Sequence, residues 1–563
     1  MESASPQGII DELVSLDELE KLYKKCLEEA ENGEVIEELV RNIRSIGDFS
    51  REVENREYIG KTYTNLMFSI MRDAPNIDKR CVFQSLRVIG NCCIDDVKNR
   101  ERVLEFGGED VLMDFLEDED TSIYTVSLTS LLNLCMDSDE ATERLNRKNA
   151  VSRILKTANL RTNFDILARI IGWLMSKEEK HYDPDCFIGF LSMVQSCPDN
   201  VADIFSIILS FLPQNDIQTA LVQSGKLYDL LEYFYRMVPC QEHFNSENKG
   251  LISMLINSFG EIAANNDFSE YILNNQLIMD MLLKHLETDS FHLLILCSCV
   301  MLGNLARTDK TCIYFVHELK LYEKLINIIN LFDNPKVIYS SSGFLKNLSI
   351  PKNNKSIIGE AGGIKLCTKL FTFDSVKPIL YIAVSILRQL IIDDGKNASF
   401  FVDSGIFMQL LELRKKTDDH FIIMESSRIV SSMIRTVNLF KLFDIEKKML
   451  EYPDFESIFK DMIVQTQYPV IRTEAIFALA LISRFYGPDF KKNVFNLLQD
   501  EPVLNILVEL GKTGTKDLRD NIRILLFSIN NEFKNESINS AFLLLGQFIG
   551  SKIEIFFQQI YFS

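Results

Sequence analysis

Apolar residues follow a helical spacing along almost the whole chain, and the strict alternation that predicts strands is nearly absent. The helical pattern also recurs at a fixed interval. Its clearest mark is an apolar segment that ends on an anchor residue, and successive anchors lie 40 to 43 residues apart except for one gap of 88 residues. The anchors are Asn91, Asn133, Trp173, Glu261, Asn304, Asn347 and Gln389. A helical unit repeated at this interval predicts a stack in which each unit buries its apolar face against its neighbours.

A second mark keeps the same interval and falls between helices. It is a residue pair that contains glycine or asparagine and precedes an apolar helix, as in Gly107-Gly108, Asn149-Ala150, Ser224-Gly225, Gly362-Gly363 and Ser404-Gly405. Such pairs permit the sharp turn that joins two helices. Extending the interval places further units near Ile46, Phe211, Ser432, Ala480 and Phe527. The two marks together predict an all-α fold, a right-handed superhelical solenoid of about twelve armadillo repeats, with HEAT repeats as the alternative.

Charge is distributed unevenly along the 563 residues. The chain has 60 basic and 80 acidic residues, a net charge of −20, which argues against nucleic acid as the main partner. Residues 1–300 carry −23 and the remainder carries +3. The acidic part is either a solubilising surface or a docking surface for a basic peptide tail.

Cysteine usage and hydropathy bear on the compartment. The twelve cysteines include no pair at CxxC spacing, which is typical of reduced cysteines in a protein of this size. We expect no secretory signal, because the first residues lack a basic and an apolar region. The longest uncharged stretch, residues 290–306, is too short to span a bilayer. We therefore expect a cytoplasmic protein, monomeric and without direct membrane insertion.

The motifs of common enzymes are missing from the sequence. It contains no nucleotide-binding glycine loop, nucleophile elbow, zinc-protease helix or calcium loop, and its six histidines lack ligand spacing. We therefore predict a binding protein with no catalytic residues, metal or cofactor. Anchors such as Asn91 and Asn133 are expected in the concave groove, where an asparagine can clamp an extended backbone through its donor and its acceptor. Alternatively, these asparagines only satisfy the ends of neighbouring helices.

Several segments resemble one family in order and register. They are residues 87–93, 213–216, 304–313, 345–351, 387–393, 425–428 and 474–480. Together they resemble the small-GTPase GDP-dissociation stimulators of the Smg type (SmgGDS), over about residues 80–500. The resemblance is close in residues 295–485 and loose in 110–200.

The resemblance implies a guanine-nucleotide exchange factor and chaperone for Rho- and Ras-type GTPases that have polybasic, prenylated C-termini. Residues 1–30 would be an acidic, partly frayed N-terminus, and residues 31–300 would be acidic repeats that take the tail and the prenyl group. Residues 301–535 would hold the GTPase body and displace its switch regions. Residues 536–563 would be an apolar capping segment.

The resemblance also implies particular site residues. The family motif Asn-Phe-Ala-Arg-Asn, with both asparagines functional, corresponds to residues 304–308, so Thr308 stands where the family has its second asparagine. The expected contacts to the GTPase body are Asn304, Arg307, Thr308, Asn347, Arg388 and Arg428. The expected contacts to the tail are Asp199 and Asp203, followed by Asp95, Asp96, Asp137 and Asp139.

Purely structural roles remain open for these side chains. Arg388 and Arg428 could be ion-pair groups, each aspartate could be a solvated helix end, and Trp173 could be core. Two other functions also remain: an armadillo scaffold or adaptor without exchange activity, and an importin-like carrier of basic peptides. The importin mode relies on repeated Trp–Asn pairs, and the sequence has one tryptophan.

Overall fold

The structure is a computed structural model that describes residues 13–29, 31–176, 182–195, 197–240, 246–287, 289–450 and 454–545. Regular secondary structure in these ranges is helical throughout. The chain divides into two compact units, which we call unit 1 (Met1–Met279) and unit 2 (Asp280–Ser563). The division falls within the helix Gln276–Lys284.

The helices of unit 1 are short and follow one another closely. They are α1 (Leu16–Glu28), α2 (Gly33–Phe49), α3 (Val53–Arg72), α4 (Lys79–Cys92), α5 (Val97–Glu105), α6 (Gly108–Asp114), α7 (Thr121–Cys135), α8 (Asp139–Arg147), α9 (Ala150–Thr157), α10 (Phe164–Met175), α11 (Pro184–Val194), α12 (Val201–Phe211), α13 (Asn215–Gln223), α14 (Lys226–Cys240), α15 (Ser246–Ala264), α16 (Asn266–Asn274) and α17 (Gln276–Lys284).

Unit 2 continues the same succession. Its helices are α18 (His292–Leu305), α19 (Asp309–His317), α20 (Leu321–Leu331), α21 (Pro335–Leu348), α22 (Lys352–Ile358), α23 (Ile364–Leu370), α24 (Lys377–Ile391), α25 (Gly395–Asp403), α26 (Ile406–Lys416), α27 (His420–Phe440), α28 (Phe443–Leu450), α29 (Phe455–Val464), α30 (Pro469–Phe485), α31 (Pro488–Leu498), α32 (Glu501–Thr513), α33 (Lys516–Phe533) and α34 (Glu536–Leu544). A short π-helical turn, Gly359–Gly363, separates α22 from α23.

One helix of each repeat packs against its counterpart in the next repeat. In unit 1 this layer is α2, α4, α7, α10, α12 and α15, and in unit 2 it is α18, α21, α24, α27, α30 and α33. We call these the inner helices and the others the outer helices. Every anchor found in the sequence, and every unit placed by extending the interval, falls on its own inner helix. The prediction of an all-α armadillo fold is confirmed.

The turns between outer helices explain the second sequence mark. Five of its residues adopt the left-handed backbone conformation, with φ between 52° and 100°: Gly107, Asn149, Gly225, Gly362 and Gly405. At Gly405, which begins α26, a side chain would be strained at this φ. The recurring glycine therefore marks a fixed place in the repeat.

Buried asparagines tie consecutive repeats together in both units. In unit 2, Nδ2 of Asn397 donates to the carbonyls of Lys355 (3.0 Å) and Leu390 (2.9 Å). Its amide lies directly against Gly359, where a Cβ would come within 2.0 Å of Oδ1. The pair Asn99 and Gly60 repeats this contact in unit 1, with a corresponding distance of 1.9 Å. A glycine and an asparagine 38 or 39 residues apart thus form one packing element.

The ends of the chain are described in part. Within the predicted N-terminal segment, α1 begins with a capping box in which Ser15 and Glu18 satisfy each other's backbone amides. Of the predicted capping segment 536–563, α34 is described, and residues 546–563 lie outside the described residues. The predicted division at residue 300 stays a prediction. None of the described helices combines the length and the apolar character needed to cross a membrane.

Candidate functional site

The inner helices leave one stripe of side chains uncovered by the outer helices. In α21 this stripe is Lys336, Tyr339, Gly343 and Asn347, spaced three or four residues apart. We call the corresponding side of each inner layer its inner face. The anchors lie on it near the C-terminal ends of the inner helices, which makes the inner face the candidate site.

The anchor asparagines use their amide donors inside the repeat stack. Nδ2 of Asn91 donates to the carbonyl of Gly47 at 3.0 Å, and Asn133 donates to Gly90 at 3.1 Å. Asn347 donates to Gly303 in the same way at 3.1 Å. Among the described residues, no group donates to Oδ1 of Asn91, Asn133 or Asn347. The donor therefore joins neighbouring helices, and the acceptor is the half of each amide that remains for a ligand.

The motif at residues 304–308 spans the end of one helix and the start of the next. Asn304 is half-buried in the last turn of α18, and Arg307 is exposed in the turn that follows. Thr308 is the N-cap of α19, where its Oγ1 accepts from the backbone N–H of Thr311 at 3.2 Å. Threonine and asparagine both cap helices well. Thr308 therefore caps α19 as an asparagine could, although a threonine lacks the amide donors of an asparagine.

Arg388 and Arg428 belong to an ion-pair network across α24, α27 and α30. Arg428 binds Glu474 through two bonds, Nε–Oε2 and Nη2–Oε1, each 2.7 Å long. Its Nη1 also donates to Oε2 of Glu425 at 2.9 Å, and Nε of Arg388 donates to Oε1 of Glu425. The Glu425 side chain is 6% exposed. The hydrogen bonds to Glu474 raise the pKa of the Arg428 guanidinium, although burial acts in the opposite direction.

This network shows what each arginine contacts within the chain. Both form ion pairs, which is the structural role left open for them by the sequence, and both are half-buried on the inner face. Removing one partner from such a network leaves an uncompensated charge in a partly desolvated place. The network therefore holds three consecutive inner helices in register at the place where the sequence predicts contacts to the GTPase body.

Asp203 lies near a second carboxylate on the adjacent inner helix. Asp203 is in the first turn of α12, and Asp165 is in the first turn of α10. Burial raises the pKa of Asp203, and the negative charge of Asp165 raises it further. No basic side chain among the described residues pairs with either carboxylate. Asp199 is exposed in the loop before α12, where its carbonyl accepts from the Cys197 thiol.

Asp165 is not among the predicted tail contacts, although its spacing carries a signal. Asp165 stands eight residues before the anchor Trp173, and Asp203 stands eight residues before Phe211. Residues that stand equally far before the corresponding positions of two neighbouring repeats lie at the same level along adjacent inner helices. Trp173 itself is half-buried on α10.

The remaining predicted tail contacts lie at helix ends. Asp96 caps α5 by accepting from the backbone N–H of Asn99 at 2.9 Å, and Asp139 is in the first turn of α8. Asp95 and Asp137 are exposed and share one left-handed position, each with a φ of 54°. Neither of these two has a basic partner within the described part of the chain. Asp95 and Asp137 thus fit an uncompensated acidic surface better than Asp96 does.

The charge of the inner helices differs between the units. Those of unit 1 carry seven basic and eight acidic residues, a net charge of −1. Those of unit 2 carry eleven basic and five acidic residues, a net charge of +6. The acidic excess of residues 1–300 therefore lies mainly outside the inner helices. Asp165 and Asp203, which have no basic partner among the described residues, are local exceptions.

Comparisons with known proteins agree with the resemblance found in the sequence. No family model matches the chain. The GTPase-GDP dissociation stimulator vimar of Drosophila melanogaster is 22% identical over 534 residues, which cover 84% of this chain and 83% of that protein. The Rap1 GTPase-GDP dissociation stimulator 1-A of Xenopus laevis is 22% identical over 437 residues, or 72% of this chain and 69% of that protein.

The chain is thus similar to GDP-dissociation stimulators over most of its length. A solved structure from a study of the interaction between cadherin and beta-catenin matches with a TM-score of 0.53, at 15% identity, over 93% of this chain and 100% of that chain. That match concerns the fold alone. Within the described residues, no group of three or more His, Cys, Asp or Glu side chains is arranged to hold a metal ion.

Proposed function

We propose that the chain stimulates GDP release from small GTPases of the Rho and Ras type and acts as their chaperone. The GTPase body would bind the inner face of unit 2, and the polybasic, prenylated C-terminus would bind unit 1. The chain would act in the cytoplasm as a monomer and make or break no covalent bond. The observation that carries the proposal is the similarity to GDP-dissociation stimulators over most of the chain.

The inner face of unit 2 supports the first half of the proposal. It combines the half-buried Asn304, the network of Arg388 and Arg428, and Oδ1 of Asn347, to which none of the described residues donates. For GDP release, this face has to bind the nucleotide-free GTPase more tightly than the GDP-bound form, because equal binding of both forms would shift no equilibrium. Displacement of the switch regions, which the resemblance implies, would supply that difference.

The carboxylates of unit 1 that have no basic partner among the described residues support binding of the tail. A lysine or arginine of the tail that meets Asp203 and Asp165 gives each carboxylate the counter-charge that the described residues do not provide. Exposed pairings contribute about 1 kcal/mol or less each, so several are needed for useful affinity. Asp95, Asp137 and Asp199 extend the set. A buried prenyl chain would add about 0.8 kcal/mol per methylene.

The experiment that tests the proposal is release of fluorescent GDP from purified Rho- and Ras-type GTPases, each with its tail intact and with its tail deleted. We expect this chain to accelerate release, more strongly with the tail, and we expect Asn304→Ala to slow it. Tail-dependent binding without acceleration would leave a chaperone only. The absence of binding to any GTPase would refute the proposal and leave the scaffold or the carrier of basic peptides.

A matched pair of variants separates the two halves. Asp203→Lys places a positive charge where the tail should bind, and Glu119→Lys makes the same change at an exposed residue in the turn before α7. We expect Asp203→Lys to abolish the advantage of a tailed GTPase and to leave binding of a tail-deleted GTPase unchanged. Equal effects of the two variants would mean that only the net charge matters.

A further inference from the structure

Large apolar side chains are exposed near the start of four consecutive inner helices in unit 2. They are Tyr339 on α21 (51% exposed), Tyr381 on α24 (40%), Phe421 on α27 (59%) and Val470 on α30 (64%). We call these four residues the apolar row. Phe421 also lies 6.4 Å, between ring centroids, from Tyr468, which extends the aromatic surface towards Val470. Isolated exposed apolar residues are normal, but a row at one end of adjacent helices marks an interaction surface.

The corresponding positions of unit 1 lack such a row. Among the described residues of its inner helices, Met254 on α15 is the large apolar side chain that is strongly exposed. The two units also differ in the net charge of their inner helices, which is −1 in unit 1 and +6 in unit 2. An inner face that is both apolar and basic is therefore specific to unit 2.

Basic side chains flank the apolar row. Lys336 is exposed one turn before Tyr339, and Lys346 is half-buried two turns after it. Lys377 stands four residues before Tyr381, but its charge is already paired with Asp418 at 2.6 Å, so Lys336 and Lys346 supply the basic charge near the row. A partner surface that carries acidic residues around apolar groups matches this arrangement, because opposite charges steer association and apolar burial holds the complex.

We infer that the apolar row binds the GTPase body through an apolar patch bordered by acidic residues. This inference rests on the proposed function and adds the chemistry of the partner surface. Its charges are the reverse of those in the tail interaction, where a basic tail meets carboxylates of unit 1. One GTPase would thus present an acidic, apolar body surface to unit 2 and a basic tail to unit 1.

Binding of tail-deleted, nucleotide-free Rho- and Ras-type GTPases to the full chain tests the inference, measured by interferometry at several salt concentrations. We expect Tyr381→Ala and Phe421→Ala each to weaken binding about tenfold, as truncation of a buried aromatic contact does. The matched control is Tyr314→Ala on the outer helix α19, where the side chain is 46% exposed. This control should bind like the unmodified chain.

Two charge-reversal variants test the electrostatic part of the inference. Lys346→Glu reverses a charge beside the row, and Lys352→Glu reverses an exposed charge on the outer helix α22. We expect Lys346→Glu to weaken binding of the tail-deleted GTPase several-fold more than Lys352→Glu, and we expect added salt to narrow the difference. Circular dichroism and the melting temperature of each variant, compared with those of the unmodified chain, separate a lost contact from a lost fold.

The outcomes separate this inference from the proposed function. If a tail-deleted GTPase binds and neither Tyr381→Ala nor Phe421→Ala weakens it more than Tyr314→Ala, the inference is wrong and the proposed function stands. If no GTPase binds, both are wrong. If the row variants instead dissolve a dimer of this chain in sedimentation, the row is a self-association surface and the inference is overturned.

Discussion

Replacing Gly359 by alanine should destabilise unit 2, although helix propensity predicts the opposite. Gly359 has the right-handed helical φ and ψ of −61° and −50°, where alanine is ordinarily more stable by about 1 kcal/mol. The added Cβ would lie 2.0 Å from Oδ1 of Asn397, so the asparagine amide has to move. The structure and the propensity scale therefore predict opposite signs for one substitution.

The magnitude follows from the bonds that Asn397 would lose. Its two hydrogen bonds, to Lys355 and Leu390, are worth about 1 kcal/mol each. An amide left without partners in this buried place costs a further ~1–3 kcal/mol. After the helical gain of alanine is subtracted, we expect a net loss of at least about 2 kcal/mol.

Native-state amide exchange measures this loss locally, which suits a repeat protein whose units need not unfold together. We expect the amides of α24 and α25 to exchange at least about 30-fold faster in Gly359→Ala, the equivalent of about 2 kcal/mol. The control is Gly343→Ala, where the added Cβ would meet only Cδ1 of Ile382 at 3.8 Å. This control should leave exchange unchanged or slow it.

A double-mutant cycle decides whether the displaced amide is the cause. In an Asn397→Ala background the obstacle is gone, so Gly359→Ala should cost little or stabilise the helix. The reasoning is refuted if Gly359→Ala behaves like Gly343→Ala, or if its cost is the same with and without Asn397.

Three further predictions concern the candidate site. Glu425→Gln leaves Arg388 and Arg428 short of a carboxylate, so we expect a loss of about 3 kcal/mol of stability in urea unfolding. Asp203→Asn should raise the melting temperature at pH 7 and weaken binding of a basic peptide. The pKa of Asp203 is raised in the folded chain, so the stability it contributes is present below its unfolded pKa and lost as the pH rises through the folded value. Thr308→Asn should retain the cap of α19, and therefore the melting temperature, while GDP release becomes faster.

Each of these predictions has a control within the chain. Glu412→Gln alters an exposed carboxylate that pairs with Lys416 at 3.9 Å, and it should leave stability within about 0.5 kcal/mol. Glu119→Gln removes an exposed charge of unit 1 and should show no gain in melting temperature at pH 7. Thr308→Ala removes the cap and should cost about 1 kcal/mol. If Thr308→Asn melts like Thr308→Ala, the capping argument is wrong.

The helices could be predicted from the sequence because their signal is local and repeated. Each inner helix carries its own apolar pattern, and residues such as Gly405 mark the turn that precedes the next outer helix. The same interval located inner helices whose anchors were not recognised, such as the one that contains Ser432. A period of about 42 residues was therefore sufficient for the fold.

The partners of the site residues could not be predicted in this way. Asn347 donates to a carbonyl 44 residues away, and Arg388 binds a carboxylate 37 residues away. Those separations lie on either side of the repeat interval, so the interval alone does not identify the pair. The sequence left Arg388 and Arg428 open as ligand contacts or ion-pair groups, and it did not indicate that Glu425 pairs with both of them.

Whether a side chain is already paired within the chain indicates how much it can contribute to binding a partner. Glu425 and Arg428 are already paired, so a ligand that displaced those bonds would gain little net energy. Asp203 is half-buried near a like charge and gains from any cation that reaches it, and Tyr381 and Phe421 are exposed with apolar area to bury. In natural proteins, side chains that break the local rules of pairing and burial occur mainly at functional sites. We therefore expect the paired network to set the geometry of unit 2, and the unpaired carboxylates and the apolar row to supply most of the binding energy.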